Sequence, residues 1–227
     1  MVSYQPDKQI HRQNKEVVMG KVLVLCAGEQ ERWRSPAPKQ IVPVFDGEPL
    51  IARTVRQVRK RMNNFPHIVS NQKCLRPYSS NYIVPSSHRW ICETLLSVAP
   101  IWGGDWTMVL LGDVLYTDEL MDTIYKQREK FHYHFYGTGG EIYGISFTDN
   151  SLIEQCLHDV VRDAIGGGRG KLWELYYRLQ NKPLPDAGKG YTGDTDDLHY
   201  TYVLDGSRDF DTVEGYKEWT RAHMLNK

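Results

Sequence analysis

The sequence predicts an α/β protein, a three-layer sandwich in which helices cover both faces of a mostly parallel central sheet. The first observation is the uninterrupted apolar run VLVLC at residues 22–26, typical of a strand buried on both faces. The second is the alternation of strand and helix patterns along the rest of the chain. The third is composition: 227 residues, 41% hydrophobic and 25% charged, suit one globular core. We therefore expect an N-terminal arm at residues 1–18 and one domain at residues 19–227.

The first half of the chain alternates between strand and helix. After the run at residues 22–26 and a loop rich in Arg, Pro and Lys, a short segment at residues 41–45 leads to five positions at helical spacing. These positions are Leu50, Ile51, Thr54, Val55 and Val58. Further strands are predicted at residues 67–70, 81–84 and 106–111, and a helix at about residues 89–99.

The second half continues this alternation and adds signals for helix starts. Thr117 can cap the start of a helix, and the two acidic residues that follow it are favourable near the positive N-terminal end of that helix. SLIE at residues 151–154 and DTVE at residues 211–214 have the form of capping boxes, and the helix from SLIE should end at Gly166. Further strands are predicted at residues 132–136, 141–147 and 200–204, and a last helix runs to about Leu225. Residues 166–198 are predicted to form an acceptor-side excursion from the domain, which contains a short helix at residues 172–179.

Charge and cysteine content exclude several classes of protein. The 28 basic residues balance the 28 acidic ones, so no overall field attracts nucleic acid or an anionic membrane. The apolar runs are far shorter than the roughly 20 residues that cross a bilayer. The four cysteines are widely spaced, lack a CxxC pair and follow no secretory signal. These features predict reduced thiols in a soluble, cytoplasmic protein.

The loop after the first strand is the first candidate site, because ligands in α/β sheets bind beyond the carboxyl ends of the strands. Gly28 permits a tight turn and a close approach of backbone N–H groups to a phosphate. Arg32 and Lys39 supply a fork-shaped guanidinium and a point-charge ammonium, which together suit a triphosphate. The alternative is that these cations are solvated charges on an ordinary surface loop.

This segment resembles the nucleotidyltransferases of the glycosyltransferase-A-like fold, the sugar-phosphate and molybdenum-cofactor-type NTP transferases. The family signature is a strand, then A-G-x-G-x-R and P-K-x-L, which residues 25–32 and 38–41 match, and PVFDGEPLI is similar to the P-V-x-G-x-P-L-I that follows. Gln30 replaces the second glycine, and Trp33 replaces a smaller apolar residue. The resemblance implies nucleotide contacts on this loop and, for the base, in PSSHRWICETLL. The implied contacts are Leu25, Ala27, Gly28, Arg32, Lys39, Ser86 and Ser87.

Three aspartates are candidate ligands for Mg²⁺ or Mn²⁺, which prefer hard oxygen ligands. Asp113 lies in LGDV after a predicted buried strand, and this resembles the family's G-D-V step, whose aspartate holds the metal. Alternatively, Asp113 only caps a turn. DFDTVE, with Asp209 and Asp211, resembles the family's D-x-D-T-x-E-D motif, with Gly215 in place of the last acid. Alternation along an extended segment would let both aspartates meet Asp113, although an N-cap pairing with Glu214 also explains Asp211.

The glycine-rich run GGGRGK at residues 166–171 is not a P-loop, because it lacks glycine at position 165 and Ser or Thr after its lysine. Two interpretations remain for this run. It is either a loop whose Arg169 and Lys171 meet a substrate phosphate, or a plain flexible connector.

The resemblance implies transfer of a nucleotidyl group from an NTP to a phosphorylated small-molecule acceptor, with release of pyrophosphate. Arg32, Lys39 and Asp113 are the expected catalytic residues, acting by positioning and charge neutralisation. A sugar 1-phosphate is favoured as acceptor over phosphocholine. Two alternatives remain. One is a metal-dependent glycosyltransferase of the same fold, which usually carries D-x-D where this chain has Leu111 two residues before Asp113. The other is a non-catalytic nucleotide-binding module, favoured by the missing second glycine.

Overall fold

The computed structural model describes residues 20–28, 30, 32–62, 65–185 and 197–224. The predicted arm at residues 1–18 and the predicted helix end at Leu225 lie outside the described residues. Nine strands are present in the described part of the chain. They are β1 (Lys21–Leu25), β2 (His67–Val69), β3 (Asn81–Ile83), β4 (Thr107–Leu111), β5 (Val114–Leu115), β6 (Tyr133–Gly137), β7 (Ile142–Phe147), β8 (Tyr200–Tyr202) and β9 (Arg208–Asp209).

Seven of these strands form the central sheet, in the order β3-β2-β1-β4-β7-β6-β8. β1 pairs in parallel with β2 and β4, β2 pairs in parallel with β3, and β6 does so with β8. β7 runs antiparallel to both of its neighbours, β4 and β6. The prediction of a mostly parallel sheet is therefore confirmed. Because β7 is reversed, the residue before it lies at the edge where β1 and β4 end.

β5 and β9 form a separate antiparallel ribbon, in which Val114 lies opposite Asp209. The backbone N–H of Phe210 extends the pairing by donating to the carbonyl oxygen of Asp113 at 3.0 Å. The sequence did not predict this ribbon, because strands of two residues are too short to show a period. The ribbon carries the C-terminal acids to the end of β4.

Six α-helices are present in the described residues, and each corresponds to a predicted helix. They are α1 (Leu50–Met62), α2 (Ile91–Ser97), α3 (Asp118–Gln127), α4 (Asn150–Ile165), α5 (Leu172–Leu179) and α6 (Val213–Met224). Side chains of β1 alternate between two helical layers. Val22 and Val24 belong to the buried cluster that contains Ile51 of α1 and Leu120 of α3. Leu23 belongs to the cluster formed with α2, α4 and α5, which confirms the three-layer sandwich.

The start of α3 is as predicted, whereas the start of α4 is not. The Thr117 hydroxyl accepts the N–H of Leu120 at 3.1 Å and caps α3. At α4 the predicted box SLIE is wrong, because the Asp149 carboxylate accepts the N–H of Leu152 at 2.9 Å and starts the helix earlier. Asp and Ser are nearly equivalent as N-caps, so the pattern alone does not rank them.

The predicted capping box at the start of α6 is also wrong. The helix begins at Val213, and the Thr212 hydroxyl accepts the N–H of Gly215 at 3.1 Å. Thr212 therefore does the work that the box assigned to Asp211. The carboxylate of Asp211 lies outside the helix and makes other contacts.

A third buried cluster joins the loop after β1 to the ribbon and to α6. It contains Trp33, Phe210 and Trp219, each at most 3% exposed. The indole N–H of Trp33 donates to the carbonyl oxygen of Ala37 at 2.8 Å. The large residue at position 33 thus fills the space between the loop and the C-terminal helix.

All four cysteines are free thiols, as predicted. Cys26 and Cys92 are buried, and Cys74 is exposed. Within the described residues, no helix combines the length and the apolar character that a membrane crossing requires.

Candidate active site

A cavity of about 330 Å³ lies at the carboxyl ends of β1 and β4. Its walls come from the end of β1, the loop that follows, the residues before α2, the end of β4, and the loop between α4 and α5. Six of the residues predicted from the sequence line it: Leu25, Ala27, Gly28, Arg32, Lys39 and Asp113. Segments that are far apart in the sequence therefore meet at one cleft.

The turn predicted at Gly28 is present. This residue has a φ of 114°, in the region that favours glycine. A Cβ atom there would lie 3.9 Å from the carbonyl oxygen of His88. The turn therefore brings the loop close to the segment before α2, on the other side of the cleft.

Gln30, which stands in place of the family's second glycine, holds the loop together through its side chain. Its Oε1 atom accepts the backbone N–H of Lys39 at 2.9 Å, and its amide nitrogen donates to Gln40 Oε1 at 2.9 Å. Gln40 is only 4% exposed, so the second contact is anchored in the protein. Gln30, which departs from the family pattern, thus fixes the path of the loop and accepts the backbone N–H of Lys39.

Ion pairs connect this loop to both acidic segments. Lys39 Nζ lies 2.5 Å from Asp113 Oδ2 and 3.9 Å from Asp211 Oδ1. The Arg32 guanidinium meets Asp211 at 2.6 and 2.9 Å. The Lys39 side chain is 13% exposed and that of Arg32 is 67% exposed, so solvent screens the Lys39 pair less. The structure brings these four predicted residues into direct contact.

Three carboxylates converge beside the ion pairs. Oxygen atoms of Glu141, Asp209 and Asp211 lie within 4.8 Å of one another. Asp209 and Asp211 are therefore close together, as the sequence suggested. Asp113 adjoins this group, and its nearest charged partner is Lys39.

The electrostatics of this group show a local excess of negative charge. Burial, followed by repulsion from Asp211 and Asp113, raises the pKa of Asp209. Although the Glu141 side chain lies on the exposed rim, desolvation by the surrounding protein and repulsion from Asp209 and Asp211 raise its pKa to about 7. A hard divalent cation offsets such charge, and Mg²⁺ and Mn²⁺ bind carboxylate oxygens. The residues present therefore fit the predicted metal.

Glu141 was missed by the sequence analysis. In a parallel sheet the residue before a strand lies at the edge opposite the ligand, but β7 is antiparallel, so Glu141 lies at the ligand edge. The sequence contained a signal for this arrangement. Only residues 137–140 (GTGG) separate the two predicted strands, and a short glycine-containing loop between strands is typical of an antiparallel hairpin.

Ser86 and Ser87 come just before the residues that line the cleft. From this segment, the described lining residues include His88, Arg89 and Trp90, and the Arg89 guanidinium lies 5.0 Å from the centre of the Trp90 ring. A role for the two serines in holding the base remains a prediction. The aromatic and basic residues next to them were not predicted as site residues.

No family model and no curated protein sequence matches the chain. Solved structures do match it. UDP-glucose pyrophosphorylase complexed with UDP-glucose has a TM-score of 0.64 at 16% identity, covering 92% of this chain and 100% of that one. A putative glucose-1-phosphate thymidylyltransferase from Bacillus anthracis has a TM-score of 0.64 at 14% identity, covering 89% and 94%. CTP:phosphocholine cytidylyltransferase from Streptococcus pneumoniae has a TM-score of 0.57 at 14% identity, covering 90% and 99%.

The chain therefore has the fold of nucleotidyltransferases that act on sugar phosphates and alcohol phosphates. The glycosyltransferase-A-like fold expected from the sequence motifs is confirmed. The matches extend over about nine-tenths of the chain.

Proposed function

We propose that this protein transfers a nucleotidyl group from a nucleoside triphosphate to a phosphorylated small-molecule acceptor and releases pyrophosphate. The observation that carries the proposal is the ion-pair network of the cleft. In it, Lys39 lies between Asp113 and Asp211, and Arg32 also meets Asp211. Cations suited to a polyphosphate and acids suited to a metal are thus in contact at the ligand-binding edge of the sheet.

In this proposal the triphosphate lies along the loop after β1. Arg32 and Lys39 exchange their carboxylate partners for phosphate oxygens, which accept charge-assisted hydrogen bonds from both cations. The base lies toward the segment before α2. The proposed nucleotide contacts are Leu25, Ala27, Gly28, Arg32, Lys39, Ser86 and Ser87.

Asp113, Asp209 and Asp211 are the proposed ligands of Mg²⁺ or Mn²⁺, with Glu141 as a neighbouring carboxylate. Such an ion, when bound, withdraws charge from the phosphate oxygens. Lys39 is paired with Asp113 at 2.5 Å in the structure. A triphosphate that takes Lys39 as its partner therefore also frees the oxygens of Asp113.

The proposed reaction is an in-line displacement at the α-phosphorus. An oxygen of the acceptor's phosphate forms the new P–O bond, while the bond from the α-phosphorus to the bridging oxygen breaks and its electron pair leaves with pyrophosphate. A phosphomonoester is already anionic, so no protein nucleophile is required. Arg32 and Lys39 neutralise the charge that builds on the leaving group, and the cleft positions both substrates.

The favoured acceptor is a sugar 1-phosphate, with phosphocholine as the other candidate. Two of the similar structures are named for glucose-containing compounds, and one is named for phosphocholine. A cytoplasmic location fits the use of nucleoside triphosphates and is part of the proposal.

The experiment that tests the function follows pyrophosphate release. The protein is incubated with Mg²⁺, each of the NTPs, and either glucose 1-phosphate or phosphocholine. We expect release with at least one pair, dependent on both substrates and abolished by EDTA. Transfer of sugar from a nucleotide sugar without pyrophosphate would support the glycosyltransferase instead. Nucleotide binding without either reaction would leave a binding module.

A further inference from the structure

The loop between α4 and α5 brings a second pair of cations to the cleft. Arg169 and Lys171 line the same cavity as Arg32 and Lys39. We call residues 27–39 the first cationic loop and residues 166–171 the second cationic loop. None of the motifs that carry the family resemblance includes the second cationic loop, so the resemblance assigns it no role.

A buried carboxylate fixes the backbone of the second cationic loop. Glu174 is 4% exposed, and its two oxygens accept the N–H groups of Arg169 at 2.9 Å and Gly170 at 2.8 Å. The carbonyl oxygen of Gly170 accepts the N–H of Cys92, at the start of α2, at 3.1 Å. The loop is therefore tied to α5 and to α2, unlike the plain flexible connector that was one interpretation of its sequence.

Glycine at position 170 makes this close approach possible. Its φ is +58°, and a Cβ atom there would come within 2.5 Å of the Cβ atom of Trp90. The flanking Arg169 and Lys171 have exposed side chains. The backbone thus packs against α2, while the two charges remain accessible from the cleft.

The second cationic loop also borders the acidic group. The indole N–H of Trp173, in the first turn of α5, donates to the carbonyl oxygen of Gly140 at 3.1 Å, and Gly140 directly precedes Glu141. The positive charge of Lys171 acts on the Glu141 carboxyl group. Lys171 therefore lies on the side of the cleft where β7 begins.

The two cation pairs come from opposite layers of the sandwich. The first cationic loop continues into the layer of α1, where the N–H of Leu50 donates to the carbonyl oxygen of Val42 at 3.0 Å. The second belongs to the layer of α2, α4 and α5. A ligand in the cleft therefore meets cations carried by two separate segments of the chain.

In an in-line displacement the attacking and leaving oxygens lie on opposite sides of the phosphorus, so the acceptor phosphate and the leaving pyrophosphate can contact different cations. The first cationic loop supplies the charge for the leaving pyrophosphate. An acceptor phosphate that approaches an anionic triphosphate is repelled by it, and cations that the triphosphate does not engage offset that repulsion. We propose that Arg169 and Lys171 bind the phosphate group of the acceptor. This inference rests on the proposed function and assigns its second substrate site.

The test compares two affinities in the full-length protein. Lys171→Gln and Arg169→Gln remove one charge each from exposed positions, so the fold should be retained. We expect the KM for glucose 1-phosphate or phosphocholine, whichever is used, to rise about tenfold or more in each variant, as for a lost charge-assisted hydrogen bond. The Kd for the Mg²⁺–NTP complex, measured by calorimetry, should change less than about twofold, since the triphosphate uses the other loop.

Two further variants control for general effects. Lys126→Gln makes the same change of charge at an exposed residue of α3 and should leave both constants unchanged. Lys171→Arg keeps the charge and should recover most of the acceptor affinity. An acceptor KM that stays the same in both glutamine variants would overturn the inference, and so would a loss of NTP affinity in place of acceptor affinity.

The failure of the inference can be told apart from the failure of the proposed function. If the wild-type protein binds no NTP in the calorimeter, the proposed function is wrong and the acceptor site falls with it. If the wild-type protein releases pyrophosphate and the glutamine variants keep the wild-type acceptor KM, only the assignment of Arg169 and Lys171 is wrong.

Discussion

The first and second cationic loops are built in a similar way from unrelated parts of the chain. Each turns at a glycine with a positive φ, Gly28 in the first and Gly170 in the second. Each is held by one side chain that accepts backbone N–H groups, Gln30 in the first and Glu174 in the second. In both loops a polar side chain thus helps to fix the backbone that carries the cations.

The loops differ in what balances their charge. Lys39 and Arg32 are paired with Asp113 and Asp211. Across the described ranges, neither cation of the second loop forms an ion pair. The first loop must therefore exchange partners when it binds an anion, whereas the second offers its charge directly. Substitutions that remove an ion-pair partner should therefore affect the first loop.

Loss of the central ion pair should have the largest effect. Lys39→Ala or Asp113→Ala is expected to lower kcat for pyrophosphate release by about 1,000-fold, the range seen when a group that stabilises transition-state charge is removed. The circular dichroism spectrum should stay that of the wild type, because both side chains reach the solvent of the cleft. Wild-type turnover in either variant would remove that residue from the mechanism.

The acidic group should control metal affinity. Asp209→Asn is expected to weaken the apparent affinity for Mg²⁺ by about 100-fold, since it removes a proposed charged ligand. The Mg²⁺ dependence of pyrophosphate release measures this change. Glu141→Gln tests whether Glu141, which the sequence did not predict as a site residue, also contributes to metal binding. An unchanged Mg²⁺ dependence in Glu141→Gln would leave the metal to the three aspartates.

The anchor of the second loop should matter for stability. Glu174→Gln replaces one accepting oxygen by a donor that faces a backbone N–H, so a buried hydrogen bond is lost. We expect a decrease of about 2 kcal/mol in the free energy of unfolding, measured by urea denaturation. Gln30→Ala removes the corresponding anchor of the first loop, which is only partly buried, and should cost about 1 kcal/mol. Equal decreases in the free energy of unfolding in the two variants would mean that the greater burial of Glu174 does not make its hydrogen bonds more stabilising than that of Gln30.

The smallest effect is expected for the exposed ion pair. Arg32→Gln should change the free energy of unfolding by less than about 0.5 kcal/mol, because solvent screens its pair with Asp211. Its Kd for the Mg²⁺–NTP complex should nevertheless rise, and calorimetry measures that change. A large loss of stability with unchanged nucleotide affinity would show that Arg32 is structural.

Most of the fold could be predicted from the sequence, because its core elements carry strong periodic patterns. The run at residues 22–26 and the helical spacing after Leu50 correspond to β1 and α1. Elements that depend on distant partners were missed. The β5–β9 ribbon has two residues in each strand and is formed by pairing across the chain. Helix starts were misplaced where two residues that can act as N-caps stand close together, as at α4 and α6.

The candidate site also contains residues that local sequence patterns predict and residues whose position depends on the tertiary structure. Lys39 was found because it lies in a recognisable motif, and Asp113 because it follows a recognisable strand. Glu141 was missed because its position depends on the direction of β7 within the sheet. The role of the second cationic loop stayed open in the sequence, since its contacts with Cys92 and Trp90 come from another layer of the fold. Such contacts leave no local pattern.

The aromatic cluster that contains Trp33 has a consequence for the synthesis of the chain. Arg32 and Asp211 are 179 positions apart, and the cluster around Trp33 likewise includes two distant residues, Phe210 and Trp219. Because a nascent chain leaves the ribosome from its N-terminus, the packing around this tryptophan stays incomplete until translation has passed residue 219. A chain that ends before β9 and α6 therefore lacks Asp211 and cannot complete the ion-pair network of the cleft.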